Sequence, residues 1–555
     1  MAFRIRFLPD QRELVLDEPL ELSLAAARCD IWLEQPCGSR TVCGQCRVRF
    51  SRGAVPTTPA DRRMVAPDDL AAGWRLGCQL TLASSCDIEV PQRCRAVAPK
   101  SFGPEALPVR LNEPQVPSDL AVRGETWLGV AVDLGSTTLA GALVDLQDGR
   151  VVATTSRLNP QMRFGADVIS RIHFAQEHDG GNAQLHHVLV RAVGEMLTEL
   201  SVQTGLPPGR IVAVTCVGNA TMTHSAVGAD VTPLGQAPYM GSFVAEQEMP
   251  ATALGWHLHP GTRVRFVPMI GSHVGGDTVA GILACEIDRS TGWRLLVDLG
   301  TNAEVVVGSR HRILATSTAA GPAFDGAIIT CGMRAEPGAI DAVRIRPSGE
   351  LVVSTIASRP PAGLCGSGLV DAVAELLVAR VIEASGYLRS RTECESLGVP
   401  VRLLDRIVES STGDRAVHLA GDVRVTAQDV RQLQLVKGSI AAGISMLTGR
   451  LRLSPRDLDE VLVSGTFGAF LRKASLLAIG LVPRVDPQRV HFVANAAGAG
   501  ARLILVDGQS RRRAIDAARR AEYVELAGDP DYEAAFCAGI PFPEPDAGDG
   551  SGGRP

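Results

Sequence analysis

The feature that most constrains how this chain can fold is an internal repeat. Val132-Asp-Leu-Gly-Ser-Thr137 recurs as Val297-Asp-Leu-Gly-Thr-Asn302, and each copy lies between two apolar, strand-like runs. A strand-turn-strand unit used twice implies a duplicated core with one acidic turn per copy. Around the copies, the strand-like runs LGVAVD, LAGALVD and IVAVTCV alternate with a helical stretch from Gln184 to Thr204, and the alternation continues to about Asp507. That is the α/β pattern of a large domain pair.

The repeated turns suggest phosphate chemistry. Asp133-Leu-Gly-Ser-Thr-Thr138 leads from one strand into another, so it is neither a Walker loop nor a Rossmann turn. Gly135 permits close backbone approach, the hydroxyls of Ser136, Thr137 and Thr138 suit phosphate oxygens, and the Asp133 carboxylate suits hydrated magnesium. Asp298, Gly300, Thr301 and Asn302 repeat those parts. Taken alone, either copy also reads as an ordinary turn, because Asp and Gly are common turn residues. Two copies facing each other across a cleft would clamp a triphosphate. Further on, VLVSGTFGAFL (461–471) sets Gly465, Thr466 and Gly468 after a strand, where a flat base can lie against the backbone. GLCGSGLVDAV (363–373) and ANAAGAGARL (494–503) read as helix starts made for close packing, as at a hinge. In this order the segments resemble the ATPase superfamily of actin, sugar kinases and heat-shock chaperones, whose fold is a pair of ribonuclease-H-like domains.

The cysteines point elsewhere. Seven of the thirteen fall within the first 94 residues, and Cys37, Cys43 and Cys46 follow a C-x5-C-x2-C spacing, with Cys78 after 31 intervening residues. Four thiolates in that pattern, in a loop carrying Gly38, Ser39, Thr41, Gly44 and Gln45, suit two irons better than zinc, which favours a second C-x2-C pair. Four reduced structural cysteines is the bland alternative. Cys29, Cys86 and Cys94 fit no ligand spacing and read as packing. The arrangement resembles the [2Fe-2S] β-grasp ferredoxins, and the flanking alternation (strands Phe3 to Leu8 and Glu13 to Asp17, a helix from Leu20 to Arg28, then CRVRF and CDIEV) is that of a small β-rich module.

Composition removes several function classes. Only three of the 55 basic residues are lysines, and the arginines are spread along the whole chain instead of forming the basic patch of a nucleic-acid binder. No run approaches the apolar length of a membrane span, and MAFRIRFLPDQRELVL alternates where a secretory signal would be continuously apolar, so a cytoplasmic location is expected. An odd cysteine count without such a signal argues against a disulfide framework. The expected domains are a ferredoxin module (1–95), a linker with five prolines (96–125), a middle α/β domain with the first phosphate loop (126–206), a C-terminal actin-like ATPase domain (207–541) and a disordered tail (542–555).

A [2Fe-2S] ferredoxin, a linker and such an ATPase in one chain resemble the reductive activators of corrinoid proteins. NPQMRFGADVISRI (159–172), VGNATMTH (217–224), GSHVGGDTVAG (271–281), STAAGPAFDGA (317–327) and YVELAGDPDYEAAF (523–536) sharpen the likeness over nearly the full chain. Ala303 stands where a glycine is usual and Asp325 where a glutamate is usual. The C-terminal [4Fe-4S] version found in methanogens is excluded, since Cys537 is the only cysteine after Cys394. The resemblance implies that Cys37, Cys43, Cys46 and Cys78 hold the cluster and pass one electron to Co(II), and that ATP with Mg2+ binds the repeat. Asp133 and Asp298 would place magnesium and water, with Gly465 to Gly468 beside the adenosine and Glu304 either assisting the water or merely solvated. Its implied partners are a corrinoid protein of a methyltransferase system and an upstream electron donor, with a homodimer as one expected assembly and neither nucleic acid nor membrane involved. His273 and Trp293 read as packing before partner contact. Three rival readings keep the same modules: an ATP-driven donor to another low-potential enzyme, a kinase carrying a redox module, and a chaperone-like binding protein without electron transfer.

Overall fold

Alternation in FRIRFL puts Ile5 and Phe7 on one face, and both are fully buried. The computed structural model describes residues 2–544, apart from 30, 32, 34–40, 42–45, 54, 92–112, 114–125, 320, 322, 323, 325, 327, 411, 412 and 466–470. In the N-terminal module, Phe3–Leu8 pairs antiparallel with Arg12–Leu16 and parallel with Cys86–Glu89. Arg47–Arg52 then pairs with Cys86–Glu89 on one side and with Trp74–Leu76 on the other. The helix Leu22–Arg28 contributes Leu22, Ala25 and Ala26 to a core that also takes in Cys29 and Cys86. Burial drives the Cys86 thiol up to about 11, the behaviour of a packed thiol and not of a reactive one.

Two six-stranded sheets follow, and they share one plan. In the first, Leu128–Leu134, Thr138–Asp145 and Val151–Leu158 form an antiparallel meander. Ile211–Gly218 pairs parallel with Leu128–Leu134, and Arg263–Phe266 extends the sheet in parallel. In the second, the meander is Trp293–Leu299, Ala303–Gly308 and Ile313–Thr318, joined in parallel by Leu458–Ser464 and then Val490–Phe492. A helical crossover is what parallel neighbours require, and Gly181–Thr204 supplies the first, burying Leu189, Val193, Met196, Leu197 and Leu200 at helical spacing. Ala427–Leu451 packs beside the second sheet, opened by a reciprocal Thr426–Asp429 capping box.

The domain limits expected from sequence need three corrections. A break between 206 and 207 would separate Ile211–Gly218 from the strand it hydrogen-bonds to, because periodicity cannot tell a βαβ return strand from the start of a new domain. By compactness the chain forms two units, 1–281 with 497–515 and 282–496 with 516–555, so the helical segment 497–515 belongs with the first. Phe542 is no part of a tail: it is buried, its N–H donates to Ala384 O at 2.7 Å, and Lys437 caps the neighbouring Pro541 carbonyl. The remaining tail from 545 lies outside the described residues, as does the linker apart from Glu113. That residue is fixed, its N–H donating to Asp507 and its carboxylate pairing with Arg512. Trp293 packs against the second core, as expected. Among the described residues no helix is long and apolar enough to cross a membrane.

Candidate functional site

Cys46 leads into the strand Arg47–Arg52, and Cys78 sits on the tight turn Gly77–Gln79. The two segments are joined where the Gly77 N–H donates to Cys46 O at 2.7 Å, and a side chain at 77 would strike that carbonyl and Leu33. The buried Asp61 steadies the same corner, accepting the Leu76 N–H at 2.8 Å. Cys37 and Cys43 lie outside the described residues. Cys46 and Cys78, on hydrogen-bonded neighbouring segments, are thiol donors of the kind a [2Fe-2S] cluster takes.

The first repeat turn caps the central strand of its sheet. Asp133 is half-buried and faces Ala140 on one neighbouring strand and Val217 on the other. Gly135 is required sterically, since a Cβ there would lie 2.4 Å from Thr138 O. The turn is held from behind. Asn159 Nδ2 donates to Gly135 O at 2.9 Å, the Asn159 N–H donates to Thr137 O at 2.8 Å, and Asn219 Nδ2 donates to Ser136 Oγ at 2.9 Å. Asn219 also caps the helix Ala220–Val227 through Met222. Arg171, fully buried, donates to Ser136 O.

The second turn occupies the same place in the second sheet. Asp298 faces Glu304 across the hairpin and Ser464 on the parallel strand. The residue keeps some exposed surface, yet its carboxyl is packed so that desolvation raises it from 3.8 to about 6, against the opposing pull of the Ser464 hydroxyl. Ser464 is itself fully buried and holds the next connection, donating to Ala494 O and accepting the Ala496 N–H. The turn closes with the Gly300 N–H on Asn302 O at 3.0 Å, and Thr301 O accepts from Gly321. Gly465 follows at φ 102°, where a Cβ would lie 2.2 Å from Leu299 O. Glu304 accepts from Ser317 Oγ at 3.2 Å. Thr466, Gly468 and Asp325 lie outside the described residues. GLCGSGLVDAV and ANAAGAGARL do pack closely, Gly368 against Ile340 O and Gly500 against Ala280 O.

Asn159, Arg171, Asn219 and Ser464 are side chains to which the motif pattern assigns no role. Arg171 carried a readable signal, since it falls among Val168, Ile172 and Ala175, on the apolar face of its helix.

Three family profiles match in tandem. They are a "2Fe-2S iron-sulfur cluster binding domain" over residues 6–83, the "RACo middle region" over 128–290 and the "C-terminal domain of RACo the ASKHA domain" over 293–549. The corrinoid activation enzyme RamQ of Eubacterium limosum is 31% identical over 420 residues, spanning 75% of this chain and 70% of its own length. The chain belongs to the corrinoid activation enzymes. A second relative in that family's range is the [Co(II) methylated amine-specific corrinoid protein] reductase of Methanosarcina barkeri, 23% identical and spanning 71% of this chain and 72% of its own. A solved reductive activator for corrinoid, iron-sulfur protein matches with a TM-score of 0.66 at 27% identity, over 98% of both chains. The corrinoid activation enzyme described here therefore joins an N-terminal 2Fe-2S domain to an ASKHA-type C-terminal domain in one mixed α/β chain.

Proposed function

We propose that this protein is an ATP-dependent reductive activator that returns the Co(II) form of a corrinoid methyltransferase protein to Co(I), one electron at a time. The observation that carries the reading is the tandem of matched regions along the chain, with a corrinoid activation enzyme 31% identical across most of it. The five-stranded mixed sheet with its packed helix supports a β-grasp ferredoxin, and the shared plan of the two larger sheets supports a duplicated ribonuclease-H-like core.

In this reading Cys37, Cys43, Cys46 and Cys78 hold a [2Fe-2S] cluster, which supplies one-electron chemistry at roughly −400 mV. Co(I) demands an electron of still lower potential, and each further 59 mV costs about tenfold in equilibrium for one electron. ATP hydrolysis closes that gap by changing how the protein grips its corrinoid partner. Gly135, Ser136, Thr137 and Thr138, with Gly300, Thr301 and Asn302, hold the phosphates, and Gly465, Thr466 and Gly468 lie at the adenosine. Asp133 and Asp298 orient hydrated Mg2+ and the attacking water. Such phosphoryl transfer needs positioning and charge neutralisation more than covalent help. An upstream donor reloads the ferredoxin module, and the system works in the cytoplasm.

The test is to mix reduced protein, ATP and candidate Co(II) corrinoid proteins while following the cobalt absorption. Conversion to Co(I) that needs both ATP and the reduced cluster is expected. Phosphorylation of a small molecule, or phosphate release with no effect of any corrinoid protein, would refute the reading.

A further inference from the structure

Three consecutive carbonyls of the first repeat turn are tied back: Gly135 O to Asn159 Nδ2, Ser136 O to the Arg171 guanidinium, and Thr137 O to the Asn159 N–H. The middle tie is unusual, because Arg171 has no exposed surface. Its remaining donors go to neutral acceptors, with Nε on Gly165 O at 2.9 Å and one terminal nitrogen on Gln161 Oε1 and Met222 Sδ, both at 3.2 Å. Among the described residues it forms no ion pair. Asp167, the carboxylate whose field it feels, is already engaged in capping the same helix through Ser170.

A guanidinium taken out of water without a paired carboxylate carries an uncompensated desolvation cost. A methionine or leucine would complete the face of Val168, Ile172 and Ala175 without that cost, so packing alone does not account for a cation here. An anion bound beyond the turn does account for it. A positive group on Ser136 O polarises the Ser136–Thr137 peptide and makes its N–H a stronger donor toward the opposite side. Asn219 fixes the Ser136 hydroxyl at the same time, so the turn is both charged and rigid.

We propose that Arg171 is a positioning residue for the polyphosphate of a nucleoside triphosphate, acting through the Ser136–Thr137 peptide and not by contact with the nucleotide. The inference rests on the reading of residues 135–138 as a phosphate loop.

The experiment uses the full-length protein and three variants, Arg171→Met, Arg171→Lys and Gly135→Ala. Thermal melts and the visible spectrum of the cluster establish folding, and calorimetric titrations give the affinities for ATP and for adenosine. Arg171→Met is expected to weaken ATP binding about tenfold or more while adenosine binding stays within twofold, and Arg171→Lys, which keeps a charge at the carbonyl, should recover part of the loss. ATP affinity within twofold of wild type in a folded Arg171→Met overturns the proposal, as does an equal loss for ATP and adenosine, which would mark a purely structural residue. Should Arg171→Met lack a cooperative melt, Arg171→Lys decides: selective loss of ATP affinity supports the proposal, and unchanged affinity overturns it. Gly135→Ala separates the two levels of inference. If it weakens ATP binding and the Arg171 variants do not, only the role of Arg171 falls. If none of the variants affects ATP, the phosphate-loop reading falls with it.

Discussion

Replacing Asp298 with asparagine should make the nucleotide-free protein more stable and at the same time nearly inactive. Burial holds this carboxyl at about 6 instead of 3.8. The folded state therefore takes up a proton more readily than the unfolded chain, and stability falls as pH rises from about 4 through 6, with the full cost carried above that window. At about 1.4 kcal/mol per pH unit, the difference amounts to about 3 kcal/mol at pH 8. Asparagine bears no charge and escapes this cost. Asp298→Asn should thus exceed wild type by up to about 3 kcal/mol at pH 8 and by about half of that at pH 5, where the native carboxyl is mostly protonated. For a unit of this size each kcal/mol is worth about 2–4 °C, so calorimetric melts without magnesium or nucleotide at the two pH values resolve the effect. Phosphate release at pH 8 should fall by about two orders of magnitude or more. Equal stability gains at both pH values would show that desolvation of Asp298 is not what the asparagine relieves, and wild-type phosphate release would remove Asp298 from the site.

Cys43→Ser should weaken or abolish the [2Fe-2S] absorption and leave ATP binding intact, because the modules have separate cores, and a full-strength cluster would refute the ligand set. Cys86→Ala should keep the absorption and lose only about 1–3 kcal/mol of stability, as expected of a buried thiol outside the ligand set; loss of the cluster would contradict this. Gly465→Ala should destabilise the second unit by a few kcal/mol in denaturant melts, since its φ of 102° and the 2.2 Å approach to Leu299 O both exclude a side chain, and a wild-type melt would refute the backbone geometry. Removing about ten residues between Ala98 and Asn112, upstream of the fixed Glu113, should slow Co(II) reduction without changing cluster content or basal phosphate release, and unchanged cobalt reduction would exclude a role for tether length.

Much of this architecture is legible in the sequence because it rests on short-range signals. The alternation in FRIRFL, the 24-residue helix Gly181–Thr204 and the duplicated Asp-Leu-Gly turns each follow from local periodicity or from glycine at a tight turn, and the structure places them close to where the pattern puts them. The cysteine spacing singled out four thiols in the same way, and the bond from the Gly77 N–H to Cys46 O sets the segments of Cys46 and Cys78 side by side. What local pattern left open is which strands pair. The strand Ile211–Gly218 has the same apolar composition whether it starts a domain or completes a sheet, and only its hydrogen bonds to Leu128–Leu134 decide between them. The buried arginine makes the same point at the site. Its position on an apolar helix face is written in the sequence, but its link to Ser136, 35 residues away, exists only because the fold brings helix and turn together. Sequence determined which residues carry charge, thiol and hydroxyl chemistry, since that is fixed by side-chain type. Tertiary structure decided which of them are stripped of water and placed in contact, and with that the raised carboxyl of Asp298 and the charged backing of the first turn, because desolvation and hydrogen-bond partners are properties of the packed chain.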